Sequence, residues 1–220
     1  MSKSAYQSLE DPLSLVPRIV SRLYTQWLLW TYPFISVGRG FTAQSSCELR
    51  RAVAPYIKIG DGVRLDRQVW LNIPFIPNSA GPVILLDDGC AVGRRCVIAA
   101  QNRIHVGRNA IFAPSVLLMD HEHGPENATM PIGDQRTTKG GTIRIEEGCW
   151  LGFRVAVVCS EGELVIGKNS VIGANSVVTR SIPPYSIVTG NPARVVKHFE
   201  PTKGMWVLGS RDLSGQGRGN

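Results

Sequence analysis

The chain has 220 residues, 43% of them hydrophobic and 19% charged, a balance that allows one substantial core and excludes disorder along the whole length. Twenty-four basic residues against 17 acidic ones give +7 at neutral pH, which favours anionic partners such as nucleic acid, phosphorylated cofactors or a membrane surface without choosing between them. Five cysteines (Cys47, Cys90, Cys96, Cys149 and Cys159) form an odd set with no C-x-x-C spacing, the pattern of reduced packing residues in a cytoplasmic protein rather than of disulfides or a metal site.

The amino terminus, MSKSAYQSLEDP, is polar and acidic where a secretion signal is basic and then apolar, so export is not expected. Residues 18–38, RIVSRLYTQWLLWTYPFISVG, are aromatic and apolar but interrupted by Arg22, Gln26 and Pro33, too short and broken to span a bilayer. Ile19, Leu23, Gln26 or Trp27, and Trp30 fall at helical spacing and predict an amphipathic helix of about three turns ending before Pro33. Its stripe is expected to pack on its own domain or on a neighbouring subunit, with peripheral attachment at the inner face of the cytoplasmic membrane as the alternative. The segment 1–56 is set apart on this basis.

From Ile59 a large apolar residue recurs every six positions: Ile59, Leu65, Leu71; Leu86, Val92, Ile98; Val106, Phe112, Leu118; Ile145, Leu151, Val157; Ile166, Ile172, Val178, aliphatic at all fifteen but Phe112. The next position is often glycine or alanine, as at Gly60, Gly93, Gly107, Gly152 and Gly167. A period of six does not hold one face of a helix but suits a short strand followed by a turn. Three units close one circuit of a triangular prism, aliphatic side chains inward and small residues at the corners. Beyond the regular spacing, nine, two, 21 and three extra residues follow every third unit, so all insertions leave from one corner of an all-β solenoid of about five coils. The reading places the solenoid at 57–185, its long inserted loop at 124–144, and a C-terminal segment at 186–220 whose tail is expected to be disordered past about Leu208, with Met205 and Trp206 docking back on the solenoid.

The stretches IEEGCWLGFRVAVV and VIGKNSVIGANSVVTRSIPPYSIVTGNPARVVK resemble the carboxy-terminal coils of hexapeptide-repeat acetyltransferases, particularly the bacterial sugar and polysaccharide O-acetyltransferases. The resemblance covers roughly residues 57–197 and is most specific in the Pro-Pro and Gly-Asn-Pro-Ala run. It implies a left-handed parallel β-helix, a homotrimer with sites between subunits, acetyl-CoA as donor and a sugar or glycan hydroxyl as acceptor. An N-acetyltransferase acting on an amino sugar is the alternative, and a non-catalytic solenoid a further one. Neither nucleic acid nor a metal is expected: the close histidine pair is two apart, without the third ligand that a zinc site of this repeat class requires.

The long insertion carries MDHEHG at 119–124. In the resembling enzymes a loop histidine removes the acceptor hydroxyl's proton, work suited to imidazole, whose unperturbed pKa is about 6.5. Counting as in their motifs, five residues beyond the aliphatic start at Leu118, lands on His123; His121 is the alternative, and Asp120 or Glu122 is placed to hold the imidazole tautomer. Trp150 matches an aromatic residue near the reaction centre. Ala174, Thr179, Arg180, Arg194 and Lys197 match positions along the acetyl-CoA groove, the last three as phosphate partners. The acceptor pocket is expected in the variable segments 73–82 and 124–141.

Overall fold

The computed structural model describes residues 15–77 and 81–208. The expectations for the first 14 residues and for the tail past Leu208 lie outside the described residues.

Three parallel sheets form three faces, and each circuit of the chain adds one strand to each. The first face takes Ser36–Val37, Ile57–Ile59, Ile84–Leu86, Arg103–Val106, Thr142–Ile145 and Glu163–Ile166. The second takes Thr42–Ala43, Arg64–Leu65, Ala91–Val92, Ile111–Phe112, Trp150–Leu151, Val171–Ile172 and Ser186–Gly190. The third takes Glu48–Leu49, Trp70–Asn72, Val97–Ala99, Leu117–Met119, Ala156–Val158 and Val177–Val178. Register follows the period: Ile104 pairs with Ile84 and Ile143, and Leu118 with Ile98 and Val157. All fifteen periodic positions are buried, none more than 5% exposed, each contributing about 1.5–3 kcal/mol of apolar transfer. Four cysteines sit at inner corners or strand ends, where burial protects thiols that donate to neighbouring carbonyls, as Cys90 Sγ to Gly107 O (3.1 Å) and Cys149 Sγ to Gly167 O (3.2 Å).

The stack begins one coil earlier than the boundary at 57, with the strands at 36–49 pairing onto the coil at 57–72. The period is present there as Val37, Ala43 and Leu49, but alanine at the middle position leaves room that Leu28 of the helix occupies, both residues being buried. The helix itself spans Leu15–Thr31, longer than the three turns expected. It lies across the open end of the solenoid, where Thr25 Oγ1 accepts the Ala43 N–H (3.0 Å) and Tyr24 donates its hydroxyl to Cys47 O (3.0 Å). The face that docks is thus centred on Ser21, Thr25 and Leu28, not on the stripe Ile19, Leu23 and Trp30, which points away. At the other end Ala193–Glu200 turns back antiparallel on Ser186–Gly190, and Met205–Leu208 pairs with it in turn, bringing Trp206 against Phe199 at 5.6 Å between ring centroids.

Candidate active site

The 21-residue insertion leaves the third face after Met119 and rejoins the first face at Thr142, so residues 142–144 belong to a strand rather than to the loop. It is a folded strap. Its two legs pair, with Thr138 N–H donating to Glu122 O (2.8 Å), Gly124 N–H to Arg136 O (2.8 Å), and a bridge between His123 and Thr137. Near the tip, Gln135 Nε2 donates to Asn127 O and Met130 O. The return leg is fastened to the body by Gln101, whose Nε2 donates to Thr138 O (3.0 Å) and whose Oε1 accepts from Thr137 Oγ1 (2.9 Å). It re-enters through Gly140, at φ 76°, and Gly141, where an added Cβ would lie 2.5 Å from Cys159 Sγ. Only glycine fits that passage.

Asp120 is fully buried where the strap departs. Its Oδ1 accepts the Gln101 N–H (2.7 Å) and its Oδ2 the N–H groups of Asn102 and Arg103 (both 2.9 Å), three consecutive donors at the same corner one coil earlier. Oδ1 also meets His121 Nδ1 at 2.9 Å. With both oxygens occupied by backbone N–H donors the group acts as a carboxylate, which can only accept, so Nδ1 of His121 carries a proton and, in the neutral ring, Nε2 is the nitrogen that bears the lone pair. His121 is 9% exposed. An oriented imidazole with its basic nitrogen free and its partner locked by backbone donors is the arrangement a general base requires.

His123 is exposed and lines a groove of about 960 Å³ between the strap and the body, together with Phe75, Ile76, Gln101, Asn102, Gln135 and Arg136. The two histidines are therefore placed differently: His121 is held by a buried carboxylate, and His123 faces open space. Gln101 and Asn102 were not singled out from the sequence. The two-residue insertion at 101–102 falls at the same corner one coil before the long one, and that coincidence was the available signal.

Trp150 is outward on the second face and 47% exposed, in a row with Ile111, Val171 and Ile187. The corner bearing Asp120 and His121 joins the third face to the first, across the prism from that row, so one chain does not bring Trp150 and His121 together. Ala174, Thr179, Arg180, Arg194 and Lys197 are all exposed. The corner holding Ala174 is tied to the hairpin holding Arg194: Ser176 Oγ donates to Gly173 O (2.7 Å) and accepts the Gly190 N–H (3.1 Å), while Arg194 pairs with Thr189. Arg180 follows the last strand of the third face, on the side from which the strap leaves two coils below. Among the described residues no group of three or more His, Cys, Asp or Glu is placed to hold a metal ion.

No family model matches the chain. It is 32% identical over 130 residues to a protein of Escherichia coli named as the lipopolysaccharide biosynthesis O-acetyl transferase WbbJ, a match covering 56% of this chain and 65% of the relative. It is 32% identical over 135 residues to the galactoside O-acetyltransferase of Lactococcus lactis, covering 60% of each. The resemblance drawn from the carboxy-terminal motifs is borne out by these names. Both matches span less than two thirds of the relative's length. In fold, the chain is similar to AntD, an N-acyltransferase from Bacillus cereus whose structure is in complex with dTDP and 3-hydroxybutyryl-CoA, with TM-score 0.66, 18% identity, and coverage of 82% of this chain and 91% of that one. At that identity the likeness concerns the fold alone.

Proposed function

We propose that this chain is an acetyl-CoA-dependent O-acetyltransferase that acetylates a hydroxyl of a sugar, a surface polysaccharide or its precursor. The observation that carries the reading is the Asp120–His121 pair, in which a buried carboxylate orients one imidazole. His121, not His123, is then the base. Its Nε2 takes the proton of the acceptor hydroxyl as the oxygen attacks the thioester carbonyl; the C–S bond breaks on collapse, and the leaving sulfur receives the proton from the imidazolium. His123, with Gln101, Arg136 and Phe75, lines the groove in which a sugar would sit, an aromatic surface beside several polar groups.

The donor is assigned to the exposed track of Ala174, Thr179, Arg180, Arg194 and Lys197, whose three cations suit the phosphates of a nucleotide. The position of Trp150 across the prism from His121 supports a homotrimer of left-handed β-helices in which the second face of one subunit completes the neighbour's site. Five free thiols suit the cytoplasm. Transfer to the amine of an amino sugar is the second reading, kept because AntD, similar in fold, is an N-acyltransferase.

The test is thiol release from acetyl-CoA against a panel of sugars, amino sugars and glycans. His121→Ala is expected to lose about 10²–10⁴-fold in kcat, while His123→Ala mainly raises KM for the acceptor. The reverse pattern would return the base to His123.

A further inference from the structure

The helix Leu15–Thr31 is turned the wrong way for a helix that merely caps a core. Its docked face is mixed, with the hydroxyls of Ser21 and Thr25 buried beside Leu28, Thr25 accepting from Ala43 N–H and Ser21 Oγ donating to Gln44 Oε1 (2.6 Å). On the far side Val16 is 67% exposed, Ile19 56%, Leu23 66% and Trp30 88%, with Trp27 half exposed beside them. At 100° per residue, Ile19, Leu23 and Trp30 fall within one narrow stripe directly opposite Ser21 and Leu28. A stripe this apolar is ordinarily the one that is buried, so leaving it out signals a partner.

The charges flanking the stripe choose among partners. The helix carries Arg18 and Arg22, both exposed, and neither aspartate nor glutamate anywhere along it. Arg51 lies at its end, its Nε donating to Thr31 O (2.7 Å). A symmetric pairing of two such helices would bring the arginines of both to one seam with no aspartate or glutamate on either helix to offset them. An anionic bilayer surface meets both features at once: phospholipid headgroups take the guanidinium groups, and the interface takes tryptophan and aliphatic side chains to a shallow depth. No helix among the described residues is long and apolar enough to cross a membrane, which agrees with a helix lying in the plane.

We propose that this face is a peripheral membrane-docking surface for anionic phospholipid bilayers. The solenoid holds the helix by its Ser21, Thr25 and Leu28 face and presents Val16, Ile19, Leu23 and Trp30 as a preformed insertion edge. Because the helix is already folded, docking costs less ordering entropy than for a segment that folds on contact. The inference is independent of the acyl-transfer reading, and the two fail separately.

The experiment is co-sedimentation of the full chain with vesicles of equal parts phosphatidylglycerol and phosphatidylcholine, beside vesicles of phosphatidylcholine alone. Binding to the first and much less to the second is expected, weakening with added salt. Arg18→Gln and Arg22→Gln should each weaken it about fivefold, and Leu23→Glu or Trp30→Glu should abolish it with the melting temperature unchanged, since neither side chain contributes to the core. Retention of wild-type protein in the supernatant with the anionic vesicles would overturn the proposal. So would a fall in the molar mass from light scattering for Leu23→Glu without lipid, which would make the face an interface between copies.

Discussion

Replacing Asp120 by asparagine tests the site at its anchor. The carboxylate accepts from Gln101, Asn102 and Arg103 N–H and from His121 Nδ1, and asparagine has one oxygen to offer. If that oxygen keeps the place of Oδ2, the new NH₂ confronts Gln101 N–H and His121; if it keeps the place of Oδ1, the NH₂ confronts Asn102 and Arg103. Either way two donors lose their acceptor at a buried residue, each worth about 1–3 kcal/mol. Because the backbone donors are only part-buried, water recovers some of this, leaving a cost of about 2–4 kcal/mol and a fall in Tm of about 5–15 °C. In the first orientation His121 must also present an unprotonated Nδ1, which moves its proton to Nε2 and removes the base. Turnover should fall about 10²-fold or more. His121→Ala is the companion, with comparable catalytic loss but little change in Tm, since Asp120 keeps its three backbone donors. Thermal unfolding and thiol release on both variants decide the matter. An Asp120→Asn protein with wild-type Tm and turnover would refute the role given to this carboxylate.

Gly141→Ala should lower turnover and cost about 1–3 kcal/mol in denaturant unfolding, because the added methyl meets Cys159 Sγ and its carbonyl and must push the strap outward; unchanged kinetics would mean the strap's seat is not needed. Arg194→Ala should weaken acetyl-CoA about tenfold while leaving the affinity for a pantetheine thioester lacking the nucleotide unchanged; equal losses for both, by calorimetry, would remove the phosphate role. Burial pushes the Cys90 thiol up to about 12 and those of Cys96 and Cys149 up to about 11 from the ordinary 9.0. The unfolded chain therefore loses these protons first, so the stability they protect is complete below pH 9.0 and is lost as pH rises through the folded values. Each thiol should steepen the decline by up to about 1.4 kcal/mol per pH unit within that window, read as denaturant midpoints, and Cys90→Ala should flatten it.

The coils were legible because each one must put a large apolar side chain inward on every face, a demand repeated fifteen times from Ile59 to Val178 and met each time by a buried residue, aliphatic except at Phe112. The first coil was harder to see because Ala43 borrows its filling from Leu28, a contact that no local period records. The helix was read in the right place, but of the surfaces offered for its apolar stripe the structure rules out its own domain, since Ile19, Leu23 and Trp30 are exposed. Spacing reveals a stripe, but the solenoid's open end offers backbone groups such as Ala43 N–H that hydroxyl side chains satisfy better than aliphatic ones. At the site, the histidine loop was visible as a break in the period, whereas the choice between His121 and His123 was not. Counting residues from Leu118 presumes that the coil continues, and the chain has already bent away at Asp120 to reach donors on the coil below. The sequence around 101–103 shows no motif, since what it supplies to Asp120 is backbone N–H, common to almost every residue.

The most direct measurement is to supply acetyl-CoA carrying an isotopically labelled acetyl group, isolate the acetylated acceptor, and determine by mass spectrometry whether the label survives mild alkali. An oxygen ester formed by wild-type protein, lost on alkali treatment and absent with His121→Ala, is the predicted result. A label that resists alkali as an amide, or transfer undiminished in His121→Ala, would contradict O-acetylation by the Asp120–His121 pair.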